Sequence, residues 1–158
     1  MCQTQVLLYK KAVLYRRLGY AVIPIHGRNS PTRFKAAAIR WSGYQKRLPS
    51  FAEIEKWFQE QSHAGLAIVC GRVSRLAVLD FDDPVLASTF AELYPDLAEA
   101  YIVRSGGRGL PHYYFHIPPE LETRSRSLDG ADWQFEGRYV VAAPTQPKTK
   151  PKRHVHDT

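Results

Sequence analysis

The sequence predicts an α+β fold, a mixed sheet with flanking helices, on three observations. Short apolar runs rich in β-branched residues recur at Tyr20-Ala-Val-Ile-Pro-Ile25, Gly65-Leu-Ala-Ile-Val-Cys70 and Arg75-Leu-Ala-Val-Leu-Asp-Phe81. Helical stretches separate some of these runs but not all, so no repeating strand–helix–strand order governs the chain. At 158 residues with 44% hydrophobic side chains, one core can be buried without disulfide or metal staples.

The elements follow in order. Val6, Leu7, Val13, Leu14 and Leu18 recur at helical spacing and predict a first helix, with Gly19 as its C-terminal cap. Residues 20–25 read as a strand, followed by a loop containing Gly27, Asn29, Ser30 and Pro31. Residues 33–47 are basic, with Trp41 and Tyr44 interleaved. Ser50-Phe-Ala-Glu53 is a capping box opening a short helix with Ile54, Trp57 and Phe58 on its apolar side. Residues 65–70 and 75–81 are too close for a helical crossover, so an antiparallel hairpin is expected. Asp83 before Pro84 starts a helix that runs to Leu93 and is closed by Pro95. Residues 101–104 and 112–117 read as strands around the loop Ser105-Gly-Gly-Arg-Gly109, and residues 131–136 and 138–142 as a last pair around Gly137. Residues 1–145 are expected to form the folded domain and residues 146–158 a basic mobile tail.

Two cysteines, Cys2 and Cys70, are too few for a disulfide framework or a zinc site. No signal pattern opens the chain, and no apolar run approaches the roughly 18 residues that span a bilayer. A soluble, cytoplasmic protein with no membrane association is expected. The formal charge of +7 is unevenly placed: residues 1–50 hold ten Lys/Arg and no Asp or Glu, and the rest hold twelve basic and fifteen acidic side chains. Such a basic third attracts polyanions, nucleic acid foremost.

The chemistry concentrates where the third apolar run ends, in Asp80-Phe-Asp-Asp83. Strands bury carboxylates only at a cost, and residues two apart share a face, so Asp80 and Asp82 should project together. Two like charges at that spacing are best reconciled by a divalent cation on oxygen ligands, with phosphate as its usual partner. The plainer reading, a strand end followed by a helix cap, accounts for Asp83 and leaves Asp80 and Asp82 unexplained. The loop 105–109 can nest phosphate on backbone N–H groups, with Ser105 and the fork of Arg108 as contacts. His112 opens the next strand, where an imidazole could hydrogen-bond a triphosphate. In Asp132-Trp-Gln-Phe-Glu136, Trp133 and Phe135 take one face and Asp132 the other, with Glu136 read as an exposed strand polar. If Asp132 points toward Asp80 and Asp82, three carboxylates can hold two divalent ions, as activation of a 3′-hydroxyl and release of pyrophosphate require.

In order and spacing, several segments resemble the N-terminal primase–polymerase domain of the archaeo-eukaryotic primase superfamily. They are Gly19-Tyr-Ala-Val-Ile-Pro24, Trp41-Ser-Gly-Tyr44, Ile54-Glu-Lys-Trp57, Leu66-Ala-Ile-Val-Cys-Gly71 and Ser74-Arg-Leu-Ala-Val-Leu-Asp-Phe-Asp82. Arg104-Ser-Gly-Gly107 leading to His112-Tyr-Tyr-Phe115, and Gly137-Arg-Tyr-Val-Val141, complete the set. The resemblance spans roughly residues 10–145. It implies an RNA-recognition-motif-like catalytic core with an N-terminal α/β unit. The implied activity is template-directed synthesis of primers or DNA from nucleoside triphosphates on a single-stranded DNA template, using Mg2+ or Mn2+. By motif position, Asp80, Asp82 and Asp132 would be metal ligands and catalytic residues, His112 a nucleotide contact, and Lys35 a contact on the basic side. A helicase is a candidate partner and replication of a mobile element a candidate setting. Pro144-Thr145 leads directly into a Lys/Pro-rich segment where members of this group continue into a Ser-containing loop and another strand, so a C-terminally shortened catalytic module is expected.

Two alternatives remain open. One is a nucleic-acid-binding module that keeps the fold without turnover, with Trp41 and Tyr44 stacking on bases. The other is a phosphohydrolase of the haloacid-dehalogenase type, which also places Asp-x-Asp after an apolar strand but on a parallel sheet, with one Asp as nucleophile and a later lysine. Residues 83–147 contain no lysine.

Overall fold

A computed structural model describes residues 2–99, 102–104 and 109–146. In chain order the helices are α1 (Gln3–Arg17), α2 (Phe51–Glu55), α3 (Pro84–Leu93) and α4 (Pro95–Ala98). The strands are β1 (Ala21–Ile25), β2 (Gly65–Val69), β3 (Leu76–Phe81), β4 (Ile102–Arg104), β5 (Pro111–His116), β6 (Arg126–Leu128), β7 (Ala131–Gln134) and β8 (Tyr139–Val141). Among the described residues they form two sheets, of order β1-β2-β8 and β4-β5-β3-β7-β6. Every pairing in them is antiparallel. The fold is α+β as expected, but the expected mixed sheet is instead two antiparallel ones. That also removes the haloacid-dehalogenase alternative, which needs its motif on a parallel strand.

Each expected helix forms, for local reasons. The Ser50 hydroxyl accepts the Glu53 N–H at 3.1 Å while the Glu53 carboxylate accepts the Ser50 N–H at 2.7 Å, so the capping box closes both ways. The helix then widens into a π-turn over Lys56–Glu60, and Ile54, Trp57 and Phe58 are buried. Asp83 caps α3 by accepting from the Val85 and Leu86 N–H groups at 2.8 and 3.3 Å. Pro95 does more than end this helix, since it opens α4 as its first residue. At the end of α1, Gly19 at φ +93° lets Tyr20 N–H return to the Tyr15 carbonyl, a Schellman closure.

The buried side of α1 is not the one on which most of the apolar residues of helical spacing lie. Leu8, Ala12 and Tyr15 face the core, while Leu7, Leu14 and Leu18 are 46, 44 and 62% exposed. Residues 8, 12 and 15 also sit at helical spacing, and Ala12 permits close approach to the sheet. Tyr15 fixes this rotation by donating its hydroxyl to the Ala143 carbonyl at 3.1 Å. Periodicity alone could not choose between two overlapping stripes.

Two strand pairings also differ from expectation. β2 and β3 share only an isolated bridge, Gly71 to Leu76, and belong to different sheets. β7 and β8 likewise separate at Gly137. The chain crosses between sheets twice, and the two crossings satisfy one another: Cys70 N–H donates to the Arg138 carbonyl at 2.9 Å, and Arg72 N–H to the Glu136 carboxylate at 2.8 Å. Glu136 is therefore a tie between crossings rather than an idle strand polar. Gly71 adopts φ +102° there, a conformation that strains any residue with a Cβ, and its open side lets the Glu136 carboxylate approach.

The main core lies between the sheets and beneath α1. Leu66, Ile68, Ile23 and Leu8 from the first unit meet Leu76, Val78 and Tyr114 from the second. On its other face the five-stranded sheet carries a smaller cluster, with Phe81, Tyr113 and Ala131 against Ala87 and Phe90 of α3. Strand β6 was not foreseen; its three residues are all exposed and give no apolar signal. The expected tail beyond residue 146 lies outside the described residues. Among those described, no helix is long and apolar enough to cross a membrane.

Candidate active site

β3 runs through the middle of the five-stranded sheet, and its C-terminal end presents Asp80. Antiparallel register sets His112 of β5 opposite Asp80 on one side and Asp132 of β7 opposite it on the other. Directly opposed residues share a face, so the three side chains form a row across adjacent strands. One row further back, Val78 is flanked by Tyr114 and Gln134 on the same face, and Val78 and Tyr114 belong to the main core. The sheet face thus changes from core to carboxylate within two residues of β3. Here the alternation inferred from Trp133 and Phe135 agrees with the register.

Within the row, His112 Nε2 lies 3.0 Å from Asp80 Oδ1, with side-chain exposures of 15 and 29%. The imidazole must donate from Nε2, because a carboxylate only accepts. His112 Nδ1 is buried without a hydrogen-bond partner among the described residues. An orphaned buried ring nitrogen is costly in a folded protein and suits a ligand-binding position.

Asp82 is placed differently. Strand β3 ends at Phe81, and the N–H groups of Asp82 and Asp83 both donate to the Gly130 carbonyl, at 2.9 and 3.1 Å. Two donors on one acceptor make a bulge, so simple alternation no longer fixes the direction of Asp82. Asp82 is exposed at the sheet end, and Asp83 is occupied in capping α3. Among the described residues, no group of three or more His, Cys, Asp and Glu side chains is arranged as a metal cage. The donor chemistry nevertheless fits a hard divalent cation: carboxylate oxygens from Asp80, Asp132 and Asp82 around one strand end. Ser105 and Arg108 lie outside the described residues.

Within the basic third of the chain, the segment after β1 forms a loop beside the three-stranded sheet. His26 closes its base, donating N–H to the Ala36 carbonyl and accepting the Lys35 N–H, at 2.9 and 3.0 Å. Arg28, Arg33 and Lys35 on this loop are exposed. Lys35 has φ +69°, and its carbonyl accepts the Tyr139 hydroxyl at 3.0 Å, while the Tyr139 hydroxyl oxygen accepts the Ala37 N–H at 3.1 Å. His63 lies beside this base. Burial pushes its pKa down, and the neighbouring His26 adds to the effect. Trp41 is half-buried, edge-on to Tyr139 at 5.0 Å between centroids, and packs on the main core. Tyr44 is a core residue, 9% exposed, with its hydroxyl donating to Glu53 at 2.7 Å, so its expected role in base stacking is not supported. Cys70 is 1% exposed, and burial pushes its thiol up to about 12, which makes it a packing residue.

Tyr139 is the residue that sequence reasoning missed. It joins the basic loop to the strand beside β2, yet its partners lie about a hundred positions away, and no local pattern announces them. A further cavity, of about 250 Å³ and lined by Tyr15, Leu18, Tyr20, Ile68 and Tyr114, lies between the two sheet units.

A central antiparallel strand thus ends in a carboxylate flanked by a histidine and a second carboxylate on an α+β scaffold. The chain belongs to the bifunctional DNA primase/polymerase N-terminal (Prim-Pol) family, whose model matches residues 12–158. At the level of the family, this membership supports primase/polymerase-type nucleotidyl transfer. No curated protein sequence matches the chain.

Proposed function

We propose that this chain catalyses template-directed nucleotidyl transfer, joining nucleotides from nucleoside triphosphates along a single-stranded DNA template during DNA replication. The observation that carries the reading is the row His112–Asp80–Asp132 at the open end of the sheet core. In this reading Asp80, Asp82 and Asp132 would hold Mg2+ or Mn2+, which when bound lowers the cost of forming the attacking 3′-oxygen and of releasing pyrophosphate. His112 is anchored by Asp80 through Nε2 and keeps Nδ1 for the nucleotide. To donate to a phosphate oxygen from Nδ1 while Nε2 donates to Asp80, the ring must carry both protons. Ser105 and Arg108 would add phosphate contacts from the loop before β5. Lys35, with Arg28 and Arg33 nearby, supplies positive charge for the DNA backbone, and Trp41 borders that surface. A helicase partner and replication of a mobile element rest on the family resemblance.

A nucleic-acid-binding module without turnover is the second reading. It is favoured by the engagement of Asp80 Oδ1 with His112 and by the lack of a finished three-ligand cage among the described residues. One experiment separates the two. The chain is incubated with single-stranded template, labelled nucleotides and Mn2+ or Mg2+, alongside Asp80→Asn and Asp132→Asn. Metal-dependent product that falls on the order of 100-fold or more in both variants supports transfer. Salt-sensitive DNA binding kept by all three proteins, with no product from any, refutes it and establishes the binding module.

A further inference from the structure

The outward face of α1 is patterned for a partner. Its exposed residues Gln3, Leu7, Lys10, Leu14 and Arg17 follow at steps of four, three, four and three. These residues share one face of the helix, and its apolar members, Leu7 and Leu14, are left open to solvent. Leu7 and Leu14 are 46 and 44% exposed and Leu18 62%, and half-buried Val6 and Val13 border the shallow depressions beside them. Between the leucines stand Lys10 and Arg17, and α1 contains no acidic residue. Two copies of this helix would set like charges against each other along the seam, so α1 is poorly suited to pair with itself.

The complementary surface is on the same molecule. Helices α3 and α4 expose Leu86, Leu93, Tyr94 and Leu97 at 36, 67, 53 and 43%. Their charged residues are acidic, with exposed Glu92 and Asp96 followed by Glu99, and no Lys or Arg occurs between Arg75 and Arg104. Leu86 and Leu93 stand seven apart on α3, matching the seven-residue interval between Leu7 and Leu14 on α1. Ala87 and Phe90 pack on the sheet, and Leu86 and Leu93 border that packed side while remaining exposed to solvent.

We infer that copies of this chain associate head to tail, the leucine–basic seam of α1 docking on the leucine–acidic face of α3–α4 in the next copy. The occupant of each surface is thus a second copy of the chain. Fifteen residues of α1 extend only about 22 Å, so the contact is smaller than a standard stable interface and belongs to the weak, concentration-dependent class. Each contact leaves one free α1 and one free α3–α4, so assembly continues past the dimer unless a ring closes.

Sedimentation of the full chain without nucleic acid, at roughly 10 to 500 µM in low and high salt, tests this directly. The average mass should rise past the dimer with concentration and fall toward the monomer at high salt. The double variants Lys10→Glu/Arg17→Glu and Glu92→Lys/Asp96→Lys should each weaken association about tenfold or more. Mixing the two variants should restore it, because each then offers the other an opposite charge. All four positions are exposed, and circular dichroism of each variant checks that the fold is unchanged. The inference is overturned by a monomer at every concentration, by a dimer plateau insensitive to the Glu92/Asp96 reversal, or by a mixture no more associated than its parts.

Discussion

Replacing Tyr139 with Phe removes one oxygen atom and, with it, both hydrogen bonds that pin the basic loop. The hydroxyl donates to the Lys35 carbonyl at 3.0 Å and accepts the Ala37 N–H at 3.1 Å. Phe keeps the ring, and hence the edge contact with Trp41 at 5.0 Å. Each bond is worth about 0.5–1.5 kcal/mol net, so the ceiling is about 3 kcal/mol if the loop stays in place unsatisfied. The loop can open to water instead, which limits the expected loss to about 1–2 kcal/mol. For a domain of this size, that corresponds to a drop of about 3–6 °C in Tm. The local effect should be clearer: hydrogen exchange at the Ala37 amide should accelerate about tenfold, while amides of β2 and β3 change only with global stability. Because Arg28, Arg33 and Lys35 keep their charges, any fall in single-stranded DNA affinity reports their positioning. A modest loss, about two- to fivefold at low salt, is expected. Unchanged Ala37 protection together with an unchanged Tm would refute the assignment of Tyr139 as the anchor of this loop.

Two further perturbations separate structure from chemistry. Asp83→Ala should cost about 1 kcal/mol, measured by denaturant unfolding, through loss of the α3 cap, and should leave metal-dependent product formation in place. Abolished product from a folded Asp83→Ala protein would move Asp83 into the site. Glu53 is held down to about 2 from 4.5, first by its hydrogen bonds with Arg47 and then, against the opposing effect of burial, by the Ser50 N–H and the Tyr44 hydroxyl. With the folded value depressed, its stabilisation is complete above the unfolded value and is lost as pH falls from about 5 through about 2. The carboxylate is 29% exposed and screened by water, so about 1 kcal/mol is the expected size. Glu53→Gln should therefore lose less stability than the parent between pH 5 and pH 3. Equal losses in parent and variant would show that Glu53 does not drive acid unfolding.

Where local chemistry decides an outcome, the sequence was sufficient. The capping box at Ser50 and Glu53 and the Asp83–Pro84 helix start need only a few consecutive residues, and each occurs where its pattern stands. The strands formed by β1, β2 and β3 follow from unbroken apolar runs, because a strand buried on both faces has no polar position to spare. The placement of Asp80 and Asp132 on a common face was legible in part, since Trp133 and Phe135 fix the alternation of β7. Asp82 was less legible, because the bulge at Gly130 interrupts the period on which the inference rested.

Pairing was the part that local pattern could not supply. A short connection such as residues 70–75 is compatible both with a hairpin and with a crossing between sheets, and the choice depends on Glu136 and Arg138 arriving from elsewhere in the chain. The rotation of α1 was ambiguous for a similar reason. Two apolar stripes overlap on one helix, and the one that turns inward is the one that Ala12 and the Tyr15–Ala143 bond fit to the sheet. The sequence by itself determined the fold class, the helix starts, the uneven charge and the residue types of the proposed site, because these depend on composition and nearest neighbours. Only the tertiary structure decided which strands meet, that His112 holds Asp80, and that leucines of α1 face outward, because these are contacts between distant segments competing for the same surface.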